Sequence, residues 1–281
     1  MTVKELTSVP GPAALYSKAA LGGLRSGGET LPDTELVLGG VTTDRAMLAA
    51  YDQVCGFRLA DELPATYPHV LAFPLQMALM TEPGFPFPLL GMVHVANRIT
   101  QHRPARLGEE FTLRVRAENL RPHPRGRQFD VVSELVPPDA ESPVWTDVST
   151  YLRRGGGSGE GRREQLAQPT ANAIWRVPGD IGRRYAAVSG DRNPIHLHPL
   201  TAKAFGFPSA IAHGMWTKAR SLASFEGRLP RAYTVDVRFA RPVLLPAKAA
   251  FTSWPTDDGW AFELWNARKP KPHLMGTITS T

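Results

Sequence analysis

The chain repeats itself, and that repeat restricts its folds more than any other feature. Tyr51-Asp52-Gln53-Val54-Cys55-Gly56-Phe57 matches Tyr185-Ala186-Ala187-Val188-Ser189-Gly190-Asp191 at an offset of 134. Tyr67-Pro68 and Leu71-Ala72-Phe73-Pro74-Leu75 match Phe207-Pro208 and Ile211-Ala212-His213-Gly214-Met215 at 140, and Arg103-Pro104 matches Arg241-Pro242 at 138. Three matches in one order at nearly constant offsets indicate a duplicated structural unit. Both copies must therefore adopt one fold.

Each copy opens with a helix. Met47, Tyr51 and Val54 have the i, i+4, i+7 spacing of one helical face; Ile181, Tyr185 and Val188 repeat it, and Thr43-Asp44 and Gly179-Asp180 precede the two helices as caps. Both tyrosines read as core. Alternating segments come next: 93–101, 111–116, 117–120, 128–135 and 144–152 in the first copy, and 233–241, 248–254, 260–265 and 274–279 in the second. Each unit is a short leading strand, a helix and about four further strands. The fold class is α+β, with an antiparallel sheet wrapped around a long helix.

Four segments result: an arm over 1–33, a unit over 34–152, a connector over 153–172 and a unit over 173–281. The arm is rich in Gly, Ala, Pro and Ser; Leu15, Ala19 and Leu24 suit a short helix, and no function is visible there. The connector holds Gly155-Gly156-Gly157-Ser158-Gly159 without apolar periodicity, and no G-x-x-x-x-G-K-[ST] phosphate loop accompanies it.

Composition narrows the function. The net charge of +6 comes from scattered basic residues with no nucleic-acid motif, so the basic surface is solvated or meets acidic groups of a partner. No apolar run approaches the roughly 20 residues of a membrane span, and no signal core opens the chain. A cytoplasmic location is expected. The single Cys55 excludes an internal disulfide and a cysteine-based zinc site, and reads as a core thiol.

The second copy alone carries chemistry. Asp191-Arg192-Asn193-Pro194-Ile195-His196 lies between helix breakers, so an acid, an amide and an imidazole stand together on a loop where a turn can bring them to one water. Gly206-Phe207-Pro208 and Ile211-Ala212-His213-Gly214-Met215 come after it, and Gly214 can open a helix. His196, His198 and His213 could form a metal site, but the i, i+2 spacing without a further carboxylate disfavours it. No metal or cofactor is expected.

The pattern Y-x-x-V-S-G-D-x-N-P-I-H with G-F-P-x-x-I-A-H-G-M resembles the signature of the MaoC-like, hydratase-2 family of hot-dog enzymes, in their double hot-dog form. The resemblance implies reversible hydration of trans-2-enoyl thioesters of coenzyme A or acyl carrier protein to (R)-3-hydroxyacyl thioesters. It makes Asp191 and His196 the catalytic pair, Asn193 their supporting residue and Gly214 the oxyanion donor. His196 would take a proton from water attacking C3 and Asp191 would deliver one to C2. His213 would sit beside Gly214 at the substrate. The duplicated units would pair as a pseudo-dimer within the chain, with homodimerisation open. A hot-dog thioesterase and a non-catalytic acyl-thioester binding protein are the alternatives.

The first copy has lost this set. Its offset jump from 134 to 140 removes six residues where the second carries Asp191 to His196; Phe57 stands at the Asp191 position, and Pro74, which has no N–H, at that of Gly214. Its apolar and partly flexible run through Phe73, Met77, Phe85 and Phe87 reads as plain core or as a wall for an acyl chain. The resemblance gives a degenerate half the latter role.

Overall fold

The computed structural model describes residues 1–11, 14–18, 29–89, 91–155 and 168–281. In chain order these form β1 (Thr2–Leu6), β2 (Thr34–Val41), α1 (Arg45–Cys55), α2 (Tyr67–Met80), β3 (Met92–Gln101), β4 (Phe111–His123), β5 (Gly126–Val136) and β6 (Trp145–Arg154). The second half forms β7 (Ala173–Val177), α3 (Ile181–Ser189), α4 (Pro194–Leu197), α5 (Pro199–Ala204), α6 (Gly214–Ala223), β8 (Tyr233–Phe239), β9 (Ala247–Thr256), β10 (Gly259–Asn266) and β11 (Pro272–Ser280). A further helical turn spans 14–18.

The strands form one sheet in the order β1-β2-β4-β5-β6-β3-β8-β11-β10-β9-β7. Taken inward from either end, β2-β4-β5-β6-β3 and β7-β9-β10-β11-β8 have the same internal order. They meet where β3 pairs antiparallel with β8, and there Arg98 lies opposite Asp236, its own counterpart at offset 138. The fold is α+β, two tandem hot-dog units joined through this pair. Apolar side chains alternate inward along the strands, as Phe111, Leu113 and Val115 do on β4, and pack on the helices.

The helices form for local reasons. Asp44 accepts the Met47 N–H at the start of α1. Gly56 and Gly190, equivalent at offset 134, end α1 and α3 with φ of 82° and 73°, a left-handed conformation that favours glycine. α2 continues through Pro74 because the helix is apolar nearly all round and enclosed by the first unit's sheet, which outweighs the hydrogen bond the proline removes. α1 and α3 pack against each other, with the Tyr51 and Tyr185 rings 6.1 Å apart.

Several expectations change. The run from Phe73 to Met80 is the second half of α2, and 111–123 is one strand. Met47 is exposed, because the buried face of α1 runs instead through Leu48, Tyr51 and Cys55. Residues 2–6 are a strand, paired in parallel with β2. The Ala19 and Leu24 part of the expected N-terminal helix and residues 156–167 of the connector lie outside the described residues. No helix among the described residues is long and apolar enough to cross a membrane.

The alignment of the two halves also changes. Bridges join Glu62 to Arg106 and Ile211 to Leu244; Arg106 and Leu244 are equivalent at offset 138, so Glu62 and Ile211 are equivalent at 149. The counterpart of Gly214 is therefore Ala65, not Pro74. The second half is longer by fifteen residues between the glycine that ends its first helix and this bridge, not by six: Ala210 lies twenty residues after Gly190, and Asp61 five after Gly56. The extra segment is α4, α5 and the loops around them.

Candidate active site

The inserted segment is held by its own turns. Asn193 Oδ1 accepts the Ile195 N–H at 3.4 Å and opens α4, where Pro194 needs no donor. His198 Nδ1 accepts the Leu200 N–H at 3.2 Å and opens α5. The segment packs on α3 at Gly182, where an added Cβ would come 2.1 Å from the His196 carbonyl oxygen. Glycine is required there for the backbone of His196 to approach.

This packing brings Asp191, His196 and His213 together. His196 is buried, and its Nδ1–H donates to the Ile211 carbonyl at 2.9 Å, which leaves Nε2 as the free lone pair. His213 Nε2–H donates to the Asp191 carbonyl at 2.9 Å, and its Nδ1 is buried without a partner among the described residues. The two imidazoles stack with centroids 3.7 Å apart. Asp191 Oδ1 accepts the Asn193 N–H at 3.1 Å, and Oδ2 lies 3.7 Å from His213 Nε2. Asn193 thus supports the site through its backbone and its turn.

These surroundings set the charges. Burial raises the Asp191 carboxyl, but His213, His196 and the Asn193 N–H outweigh it and hold its pKa below the usual value. Burial pushes His196 below its ordinary value, against the pull of Asp191, and takes His213 to about 3, with His196 adding to the effect. At neutral pH the cluster is one carboxylate and two neutral imidazoles. An ionised Asp191 has no proton to give, so both it and His196 rest as bases; the division into a base and a proton donor does not describe the resting site.

Donor atoms of Asp191, His196 and His213 lie within 4.8 Å of one another, close enough for a metal. His213 Nε2 is committed as a donor to the Asp191 carbonyl, so only its Nδ1 could offer a lone pair to such an ion. Gly214 is the first residue of α6, whose N–H has no carbonyl within the helix to bond. A Cβ there would meet the Phe239 ring at 3.1 Å, so close ring packing also calls for glycine.

Asp191, His196, His213 and Gly214 line a cavity of about 400 Å³ that continues into the first unit, where Phe73, Met77, Met80 and Met92 form its wall. Phe85 and Phe87 do not line it. Their rings pack on Phe129 at 5.2 and 5.7 Å, so they belong to the core. The exposed Arg125, Arg154 and Arg241 also border the cavity, and so does Tyr16 from the N-terminal arm. Arg125 and Arg154 belong to short basic groups of the sequence and Arg241 to the repeated Arg-Pro pair, but their meeting at one cavity, and the presence of Tyr16 there, are visible only in the fold.

A buried polar chain joins the two units beside this cavity. Lys218 on α6 donates to the Asn97 and Val235 carbonyls at 3.1 Å and to Asn97 Oδ1; Asn97 donates to Asp147 and Ser149, and Asp147 pairs with His69 of α2. Burial pushes Lys218 down to about 7, while Asp147 and Asp236 pull it back in part. His69 is the counterpart of Lys218 at offset 149.

An acid–imidazole pair on a loop, a helix N-terminus facing the same space and an apolar extension define a hot-dog hydro-lyase. The comparisons agree. Residues 161–273 match the MaoC like domain. The chain is 42% identical over 255 residues to 3-hydroxyacyl-thioester dehydratase X of Mycobacterium tuberculosis, covering 89% of this chain and 90% of that protein. The crystal structure of that protein superposes with a TM-score of 0.79 over 88% of this chain and all of that one. A MaoC-like dehydratase from Phytophthora capsici, 19% identical, shares the fold with a TM-score of 0.71 over 88% of this chain and 95% of that one. The chain belongs to the MaoC-like dehydratase family, hydratases and dehydratases of fatty-acid metabolism.

Proposed function

We propose that the protein hydrates trans-2-enoyl thioesters and dehydrates (R)-3-hydroxyacyl thioesters, as a cytoplasmic pseudo-dimer within one chain. The observation that carries this is the convergence of the Asp191 carboxylate, His196 and the Gly214 helix terminus on a cavity that runs into an apolar wall of the other unit. Residues 173–281 form the catalytic unit and 34–152 the acyl-holding unit; 153–172 connects them and 1–33 is an arm. Phe73 and Met77 meet the acyl chain. Arg125, Arg154 and Arg241 suit the phosphates of coenzyme A or a carrier-bound phosphopantetheine.

In hydration, water lies between Asp191 and His196. His196 Nε2 takes one proton as the water oxygen bonds to C3, and the C2–C3 π electrons move toward the thioester carbonyl. Its oxygen gains negative charge, which the Gly214 N–H stabilises; such a donor contributes roughly 10²–10³ in rate. The proton, shared by the resulting imidazolium–carboxylate pair, is delivered to C2 on the same face. Dehydration reverses each step. The Phe239 ring and the apolar wall exclude bulk water.

Loss of the conjugated enoyl absorbance, followed with trans-2-enoyl-coenzyme A esters of several chain lengths, tests this. Turnover to the (R)-3-hydroxyacyl product, reduced roughly 10²–10⁴-fold in Asp191→Asn, is expected. Because His196 must be neutral and burial lowers its pKa, kcat/KM should persist to lower pH than a free imidazole would allow and fall as the pH drops through that lowered pKa. Release of free thiol without hydration would instead identify a thioesterase.

A further inference from the structure

The N-terminal arm contributes to this site. β1 lies on the outer edge of the first unit, yet ten residues after its end Tyr16 reaches the inserted loop of the second. Leu15 beside it is buried, so the turn over 14–18 is seated in the protein. The Tyr16 hydroxyl accepts the Arg192 N–H at 2.5 Å and donates to Asp191 Oδ1 at 3.4 Å, and its ring lines the cavity. Burial, followed by the charge of Asp191, raises its pKa, so it remains a phenol and a donor throughout the working range.

We propose that Tyr16 is a positioning residue for the Asp191 carboxylate, contributed to the active site by the arm. The geometry assigns it a defined task. Asp191 Oδ1 receives both the Asn193 N–H and the Tyr16 hydroxyl, which fixes the carboxylate and leaves Oδ2 toward His213 and the cavity. The accepted Arg192 N–H fixes the backbone on the other side of the acid. A carboxylate on a loop between a left-handed glycine and a proline needs such ties to hold one orientation. Tyr16 acts through Asp191 rather than on the reacting atoms. Its catalytic part rests on the hydratase reading above, whereas the tie itself can be measured without any substrate.

Two measurements on Tyr16→Phe, which keeps the ring, test the proposal. Amide hydrogen exchange at Arg192 should quicken at least about tenfold, since its acceptor is gone. In the enoyl assay kcat should fall about tenfold with KM little changed, the thermal midpoint should hold, and in an Asp191→Asn background the same change should have little further effect. Unchanged exchange at Arg192 overturns the tie, whether or not the protein turns over enoyl esters. Faster exchange with full kcat, or an equal loss in both backgrounds, overturns the positioning role. Faster exchange in a protein that hydrates no enoyl ester upholds the tie and counts against the hydratase reading instead.

Discussion

The two halves of the sheet share strand order and helix caps but differ in the segment beyond the first helix. After Gly56 the chain turns within five residues to the bridge at Glu62; after Gly190 it spends twenty on α4, α5 and their loops before the equivalent bridge at Ile211. Every titratable group of the catalytic cluster except His213 lies in that extra segment, and His213 stands two residues past the bridge. The first half has no room for the cluster. It keeps the helix α2 and gives its face to the cavity wall instead. On the proposed function, catalysis is separable from the framework: a loop and the terminus of one helix would hold the chemistry, while the duplicated sheet supplies shape.

The polar chain between the halves shows how far the copies have become dependent on each other. Lys218 and His69 are counterparts, but one is an ammonium donor and the other pairs with Asp147, so each half completes the other's hydrogen bonds. Lys218→Met leaves the Asn97 and Val235 carbonyls and Asn97 Oδ1 without their buried donor, which should cost roughly 3–5 kcal/mol in a denaturant titration. The pH dependence sharpens the test. The folded pKa of Lys218 lies near 7 and the unfolded one near 10.5, so the unfolded state binds more protons between them and this lysine makes stability rise with pH across that window. The stability difference between parent and variant should widen from pH 7 to 9. A flat difference would mean that Lys218 is not held in this depressed state.

Gly182 marks the same asymmetry at single-residue scale. Its counterpart at offset 134 is Leu48, a buried core residue, while Gly182 has the His196 backbone against it. Gly182→Ala must push His196 away, since backbone cannot yield as a flexible side chain does. A displacement of about 1 Å at a reacting group costs about 10²-fold, so kcat should fall by that factor, with the Arg192–His196 loop shifted in a crystal structure of the variant. Activity within twofold of the parent would show that His196 does not depend on this contact.

The sequence makes some of this legible and conceals the rest for physical reasons. Repeated tyrosines, left-handed glycines and Arg-Pro turns are local, so the duplicated α+β unit and its strands are readable. Asp191, Asn193, His196 and Gly214 lie within one short stretch, and turn chemistry brings them to one place. The length of the insertion is misread because Tyr67-Pro68 and Phe207-Pro208 look alike by composition, whereas only the bridges at Glu62 and Ile211 reveal equivalence. Phe85 and Phe87 have the composition of a ligand pocket, but which way an aromatic residue on a loop turns depends on partners distant in sequence, here Phe129. Tyr16 and Lys218 are invisible in the sequence for the same reason: their partners lie 175 and 121 residues away.

The smallest difference between the halves is also the most direct to measure. Tyr51 and Tyr185 are equivalent, buried and 6.1 Å apart, yet the Tyr51 hydroxyl donates to Thr66 Oγ1 at 2.8 Å while that of Tyr185, a residue bordering the cavity, closes no hydrogen bond among the described residues. Tyr51→Phe strands a buried threonine hydroxyl and should cost about 1–3 kcal/mol with kcat unchanged. Tyr185→Phe removes a group without a partner and should move stability by less than about 0.5 kcal/mol. Any effect it has belongs in turnover, because Tyr185 borders the space the substrate or its water would enter. Equal stability losses in the two variants would mean that Tyr185 is also a framework residue, and the division between a structural and a catalytic half would then begin beyond α3 rather than within it.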